Sequence, residues 1–318
     1  MRKAKPVYVE TTIRTDMEQL WLHTQSPELH RQWDLRFSEI AYLPRREGES
    51  RQKFLYRTRI GFGLSIAGTG VTKAAAIRPG GERVSVLSFG SDQQLSLIRR
   101  GSGYWKYEPA GESIVFLTRF DYETRFGRIG RWFDALLFRP LFGYATAWSF
   151  DVLRIWLERR IPPASTIRQA LVHYGSSLML ALLWLYEGLV PKLIFADAGE
   201  REVLRQAAFV PGREDEVLLV LGAAETVLAV AICLLHRRKW IFQLQSLLLI
   251  VLGAAALGGN PALLHAPFGP VALSAAMLGL GWLAAGTRRD LPDAGRCRRK
   301  PLRSGEWIRS NRQRGDAR

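Results

Sequence analysis

ALVHYGSSLMLALLWLYEGLVPK, Ala170 to Lys192, carries no charged side chain before Glu187. About 20 mostly apolar residues cross a bilayer as a helix, so the stretch predicts a transmembrane span over about 170–190. Three more runs downstream meet the same length: VLLVLGAAETVLAVAICLL at about 217–235, WIFQLQSLLLIVLGAAAL at about 240–257, and FGPVALSAAMLGLGWLAAG at about 268–286. Each is longer than an ordinary core helix. The competing reading is the all-helical core of a soluble protein.

The charge distribution agrees with a membrane middle. The 318 residues carry a net +16. Residues 1–160 hold 26 basic against 17 acidic side chains, residues 161–286 hold 8 against 8, and residues 287–318 hold 11 against 4. A basic head and a basic tail therefore flank a neutral apolar segment. Such flanking charge suits anionic lipid better than nucleic acid, so membrane lipids are the expected partner and nucleic acid is not. Two cysteines, Cys233 in an apolar run and Cys297 in the basic tail, make no disulfide framework. The start MRKAKPVYVETT lacks an apolar core of signal-peptide length, which predicts a cytosolic N-terminal domain.

Loop charge sets the expected orientation. Arg154, Arg159, Arg160 and Arg168 precede the first span, Arg237, Arg238 and Lys239 fill the second-to-third loop, and the tail continues as CRRKPLR. These segments belong on the cytoplasmic side. The loop GGNPALLHAPFG, residues 258–269, has no Lys or Arg and belongs outside. The loop after the first span is mixed, with Lys192, Arg201, Arg205 and Arg213 beside six acids. The expectation is a multi-pass protein of a bacterial inner membrane, four spans, both termini cytoplasmic.

Residues 6–125 alternate like strands around an early helical insertion. VYVETTI places Val7, Val9, Thr11 and Ile13 on one face at period two. DMEQLWLHT switches to helical spacing, with Met17, Leu20, Trp21 and Thr24 together, and SPELHRQW opens a second helix with Ser26 as N-cap and Pro27 in the first turn. Six strand-like runs follow. In the last, Ile114, Phe116, Thr118, Phe120 and Tyr122 alternate inward. Residues 127–160 then lose alternation and gather aromatics, including Trp132, Phe138, Phe142 and Trp148, with a kink expected at Pro140.

Strand, two short helices, an antiparallel sheet and a long closing helix ending SFDVLRIWLERR resemble the START-like (SRPBCC) superfamily over about residues 5–160. The resemblance implies an α+β helix-grip fold whose sheet wraps the helix around an apolar ligand cavity. Trp132, Phe138, Phe142, Trp148, Phe116 and Phe120 are the candidate cavity residues. The same aromatics also fit a plain core, or a headgroup layer beside Arg139 and Arg154. The glycine-rich GFGLSIAGTG, residues 61–70, lacks a phosphate-loop lysine and reads as a hairpin or cavity rim. No Ser/His/Asp order or metal spacing is evident, so no catalytic residue, metal or cofactor is expected.

The polar residues of the apolar half are few. Glu187 lies near the outer end of the first span, Lys192 at its boundary, and Glu225 about 12 Å into the second. An acid near the bilayer centre costs about 2.5–3.5 kcal/mol on insertion scales, which favours a partner or a wet cavity. Lys192 is expected to snorkel to the headgroups. Depth places Glu187, Lys192 and Glu225 with Asn260 and His265 of the outer loop, while His173, Gln243 and Gln245 lie toward the inner side. A polar clasp and a small-molecule, quinone or proton site are both compatible with this set.

WLYEGLVPKLIF, GAAETVLAVAICLL and GNPALLHAPFGPV are similar to the DoxX-like family of four-helix bacterial membrane proteins, over about residues 166–286. The resemblance places Glu187, Lys192, Glu225, Asn260 and His265 in the stretches that carry it. Some members are linked to quinone-dependent oxidation. The architecture expected is a START-like domain over 1–160, an all-α membrane bundle over 166–286, and a basic disordered tail over 287–318. The leading function is binding of an apolar small molecule (lipid, isoprenoid or quinone-like) in the cytosolic domain. The alternatives are a quinone-linked oxidoreductase subunit and a structural partner of another membrane protein.

Overall fold

The computed structural model describes residues 5–44, 51–61, 63–75, 80–195, 200–206, 212–265 and 269–301. The chain forms two compact units, Met1–Thr166 with Pro292–Arg318, and Ile167–Leu291.

The first unit contains strands β1 (Val7–Ile13), β2 (Glu39–Tyr42), β3 (Gln52–Gly61), β4 (Leu64–Ala75), β5 (Arg83–Gly90), β6 (Ile98–Ala110) and β7 (Ser113–Thr124). Helices α1 (Met17–Gln25) and α2 (Pro27–Trp33) fill the β1–β2 connection; α3 (Gly127–Phe133) and α4 (Arg139–Arg159) follow β7. Among the described residues the strands make one antiparallel sheet in the order β1-β7-β6-β5-β4-β3-β2. Chain reversal closes the order so that the first strand pairs with the last, leaving the concave face for α4. This is the helix-grip fold.

Period-two patterning sets which side chains meet. Val9 pairs with Thr118 and Thr11 with Phe116, and all five alternating β7 residues from Ile114 to Tyr122 are buried. Phe116 stacks on Phe150 of α4 with ring centroids 4.5 Å apart. Gly68 and Gly70 of β4 are required by close approach: a Cβ there would lie 2.4 Å from the Tyr56 ring and 2.2 Å from the Phe54 ring. Ser26 precedes α2 with Pro27 at its first turn, but its side chain makes no cap bond. Asp16 caps α1 instead, accepting from Gln19 N at 2.7 Å.

Two expectations are corrected. The segment after β7 does not kink at Pro140. Its break is a π-helical turn, Asp134–Phe138, and Pro140 stands in the first turn of α4, where its missing N–H breaks no helical bond. The tail is not disordered from residue 287: the described part, up to residue 301, includes a strap packed on the first unit. Asp293 N donates to Asp151 Oδ2 at 2.8 Å, the Cys297 thiol donates to Ala147 O at 3.2 Å, and Arg298 forms a bridge with Glu10 on the β1 edge. Every residue of α4 from Thr146 to Leu153 is buried. A helix covered all round needs a second cover besides the sheet, and the strap contributes it over Ala147 and Asp151. Residues 302–318 lie outside the described residues.

The second unit contains α5 (Pro163–Gly188) with a π-helical turn at Leu189–Ile194, the short α6 (Glu200–Gln206), α7 (Glu214–Leu235), α8 (Lys239–Gly259) and α9 (Pro270–Gly286). Among the described residues three helical segments have the length and apolarity of spans, Pro163–Ile194, Glu214–Leu235 and Lys239–Gly259, with mean hydropathies of 1.5, 2.5 and 2.0. The fourth expected span, α9, is apolar but only 17 residues long. Leu180, Trp184, Leu228, Ile232, Phe242 and Met277 share the core. Leu182, Val227, Leu234, Leu247, Ile250 and Trp282 face outward. Helices apolar on both faces suit a lipid solvent.

At one end of the bundle His173 of α5 joins Ala284 O of α9 and His236 after α7, each at 2.9 Å. A carbonyl only accepts, so His173 Nδ1 carries the proton of that bond, and Nε2 shares a hydrogen bond with His236 Nδ1. Gln245, fully buried, lies so close to Gly281 of α9 that a Cβ there would meet its Nε2 at 2.1 Å. The three polar residues His173, Gln243 and Gln245 thus divide. His173 and Gln245 tie helices together, and Gln243 is exposed.

Candidate functional site

The crossing of α5 and α7 is made by glycine. A Cβ on Gly188 would lie 2.7 Å from Gly222 O, and one on Gly222 would lie 2.8 Å from Gly188 O. Small residues let membrane helices approach this closely. The approach sets Glu187, next to Gly188, beside the α7 turn that carries Glu225.

The π-helical turn supplies the third group. Five residues along an α-helix rotate a side chain by about 140°, so Glu187 and Lys192 would point apart. A turn with i→i+5 spacing narrows that angle and brings positions five apart onto one side of the helix. Lys192 consequently folds inward, correcting the expectation that it reaches the headgroups. It is 9% exposed, donates to Glu187 O at 3.3 Å, and lies 3.1 Å from Glu225 Oε2, 3.8 Å from Glu200 Oε2 and 4.0 Å from Glu187 Oε2. One ammonium thus serves three carboxylates. Glu225 Oε2 is within ion-pair distance of that ammonium, yet among the described residues no donor is aligned to hydrogen-bond it. We read the contact as a Coulombic pair.

These groups form the polar wall of a pocket of about 560 Å³. Its apolar walls include Val217 and Leu221 of α7, Leu249 and Leu252 of α8, and Leu273 and Met277 of α9. Such a size and lining match a small-molecule site with a few placed polar groups. Glu187, Lys192 and Glu225 converge there as their depth implied. Asn260 and His265 do not line it. Asn260 Oδ1 accepts from Ala262 N at 3.0 Å, holding its own turn, and His265 is exposed. The loop instead contributes Leu263. Glu200 was missed by sequence reasoning, its only signal being membership of the acid-rich outer loop.

The six aromatics proposed for the soluble cavity divide. Phe116, Phe120 and Trp148 are buried; Phe120 meets Phe142 edge-on at 5.5 Å and Phe142 stacks on Phe138 at 5.4 Å. Trp132 points outward, 67% exposed. Near them lies an ionic cluster that pattern reading did not find. Arg36 Nε donates to Asp34 Oδ1 at 2.8 Å, His30 Nε2 lies 2.9 Å from Asp34 Oδ2, and the Arg36 guanidinium lies over the Phe120 and Phe142 rings. Burial pushes the Asp34 carboxyl upward, but the Arg36 charge and the hydrogen bonds of Arg36 and His30 outweigh it. They hold the group well below the usual carboxylate range.

Residues 181–282 match the DoxX-like family, and every pocket residue named above falls within them. Across both units, the chain is 45% identical over 240 residues to "Uncharacterized membrane protein YndG" of Bacillus subtilis (strain 168), covering 75% of this chain and 81% of that protein. The chain belongs to the YndG family of membrane proteins. Its C-terminal half is a DoxX-like domain, and the helix-grip unit precedes it. Solved structures similar to the helix-grip half include TTHA0849 from Thermus thermophilus, 15% identical, TM-score 0.34, covering 43% of this chain and 86% of that one. Norcoclaurine synthase from Thalictrum flavum is 17% identical with TM-score 0.31, covering 47% and 86%.

Proposed function

We propose that this YndG-family protein binds an apolar small molecule in its DoxX-like domain, with a cationic or hydrogen-bond-donating end of the ligand set against Glu187, Glu200 and Glu225. The observation that carries the reading is the apolar pocket of about 560 Å³ closed on one side by a lysine shared among three carboxylates. Its ionisable lining is Glu187, Glu200, Glu216 and Glu225 against Lys192 and Arg213, a formal −2. Excess negative charge in an apolar wall favours a donor or a cation on the guest. Packing of Phe116, Phe120 and Trp148 in the helix-grip core supports this site over the soluble one for the ligand.

The membrane is the inner membrane in this reading, crossed four times. Residues on both sequence flanks of the membrane unit belong to the soluble unit, which supports an even number of crossings. In this reading α9 is the fourth span beside the three long ones. Arg237, Arg238 and Lys239 between α7 and α8 favour that side as cytoplasmic.

Native mass spectrometry of the full chain from mild detergent tests the ligand. An apolar molecule retained by the wild type and depleted in Glu225→Gln is the expected outcome. A protein that carries nothing and rebinds nothing after delipidation would refute the proposal.

A further inference from the structure

The face of the soluble unit formed by α3, the π-helical turn and the start of α4 is apolar and turned outward. Ile129 is 78% exposed, Trp132 67% and Leu136 61%, and Phe133, Leu137 and Leu141 are exposed beside them. The spacing of 129, 132/133, 136/137 and 141 follows the helical repeat, so these side chains share one face. The opposite face holds the segment down. A Cβ on Gly130 would lie 1.9 Å from Arg125 O, and Asp134 accepts from Tyr122 Oη at 2.6 Å and from Arg139 Nε at 2.8 Å. The apolar stripe is thus fixed outward by packing rather than displayed by a loose helix. Contiguous exposed apolar surface of this kind marks an interaction site.

Charge selects the partner. Between Arg125 and Phe150 the only acid is Asp134, and it is buried and bound to Arg139. Arg128 and Arg131 are exposed on the same short helix. Arginines flanking a stripe of Trp, Phe, Leu and Ile, with no exposed acid between Arg125 and Phe150, match an interfacial lipid-binding helix. The chain also keeps this unit at a bilayer, because α4 ends at Arg159 and α5 begins at Pro163. Weak docking suffices when the effective concentration is set by a tether.

We infer that the Ile129–Leu141 face docks on an anionic bilayer surface, with Trp132 and Leu136 in the headgroup–acyl boundary and Arg128 and Arg131 on the lipid phosphates. This inference is independent of the pocket ligand and survives its failure.

The test uses the full chain in nanodiscs, with Cys233→Ser and a nitroxide on Ile129→Cys, in phosphatidylcholine with and without phosphatidylglycerol. Accessibility to oxygen against a water-soluble nickel chelate reports depth. The expected result is a probe reached by oxygen and shielded from nickel in anionic discs, and less so in neutral ones. Adding Arg128→Gln and Arg131→Gln removes two lipid-facing charges and should shift the docked-to-undocked ratio roughly 30-fold toward undocked in the anionic discs. A probe open to nickel in both lipids overturns the inference. So does a probe shielded from both reagents, which would mean that protein covers the face.

Discussion

Removing the lysine should damage the membrane unit more than removing the acid closest to it. Lys192 Nζ lies 3.1, 3.8 and 4.0 Å from carboxylates of Glu225, Glu200 and Glu187. At an effective dielectric of about 20 each contact is roughly 4–5 kcal/mol of gross attraction, much of it offset by desolvation. Lys192→Met leaves three carboxylates around one apolar pocket without the ammonium they share, and loss of one partner of a buried pair costs about 3–5 kcal/mol. Glu225→Gln leaves the lysine with Glu187 and Glu200 and retains a polar side chain, so it removes only one of three Coulombic contacts and should cost roughly half as much, about 1.5–3 kcal/mol. At roughly 3 °C per kcal/mol, the midpoint of thermal unfolding in detergent should fall by about 9–15 °C for Lys192→Met and about 5–9 °C for Glu225→Gln. The double variant should be less damaged than the sum of the two, because the second change removes a charge the first had stranded. Midpoints from size-exclusion survival after heating measure all three. A Glu225→Gln loss equal to or larger than that of Lys192→Met would show that the lysine is not the hub.

Other perturbations have definite expectations. Gly222→Ala places a methyl 2.8 Å from Gly188 O and 2.9 Å from Leu193 Cγ; the helices must part, costing about 1–3 kcal/mol and widening the Glu187–Glu225 gap, read as lost thermal stability and a weakened ligand signal. Arg36→Met leaves Asp34 buried without its cation and should cost the soluble unit about 3–5 kcal/mol, measured by chemical denaturation. The depressed Asp34 carboxyl contributes stability that is fully present above its ordinary value of 3.8 and lost as pH falls through the folded value. Wild type should therefore lose stability below about pH 4, and Arg36→Met should lose less there. Burial pushes the Cys297 thiol up to about 12, so the folded protein should resist maleimide at Cys297 at pH 8 while denatured protein reacts fully, as peptide mapping would show. Truncation before Pro292 should destabilise the soluble unit, because it removes the strap's bonds to α4 and β1, which lie between Asp293 and Arg298; chemical denaturation measures the loss.

Local periodicity carried most of the architecture. The uncharged run before Glu187, the period-two face of Val7 to Ile13 and that of Ile114 to Tyr122 each follow from a repeat a few residues long, and each stands in the structure as read. Glu187, Lys192 and Glu225 were legible as companions because depth in a bilayer is itself a function of sequence distance. The inward turn of Lys192 was not legible, since a π-helical turn changes the angular step by an amount no side-chain pattern encodes. Glu200 came into the site for a similar reason: α6 is placed by packing, and a charged loop looks the same wherever it folds. Asn260 and His265 failed in the opposite direction. They share the depth of the pocket, but Asn260 satisfies its own turn and His265 faces away.

The sequence by itself determined the two-part organisation, the apolar spans and the helix-grip order of elements along the chain, and the outward character of residues such as Trp132 only as one of three options. Tertiary structure alone decided that the basic tail starts as a strap over α4, that glycine at 188 and 222 draws the carboxylates together, and that one ammonium is divided among three acids. The physical reason is range. Hydrophobic burial repeats with the period of the local backbone and can be read along the chain. An ion pair or a glycine contact forms between residues tens to hundreds of positions apart, and it exists only once packing has brought them within a few ångströms.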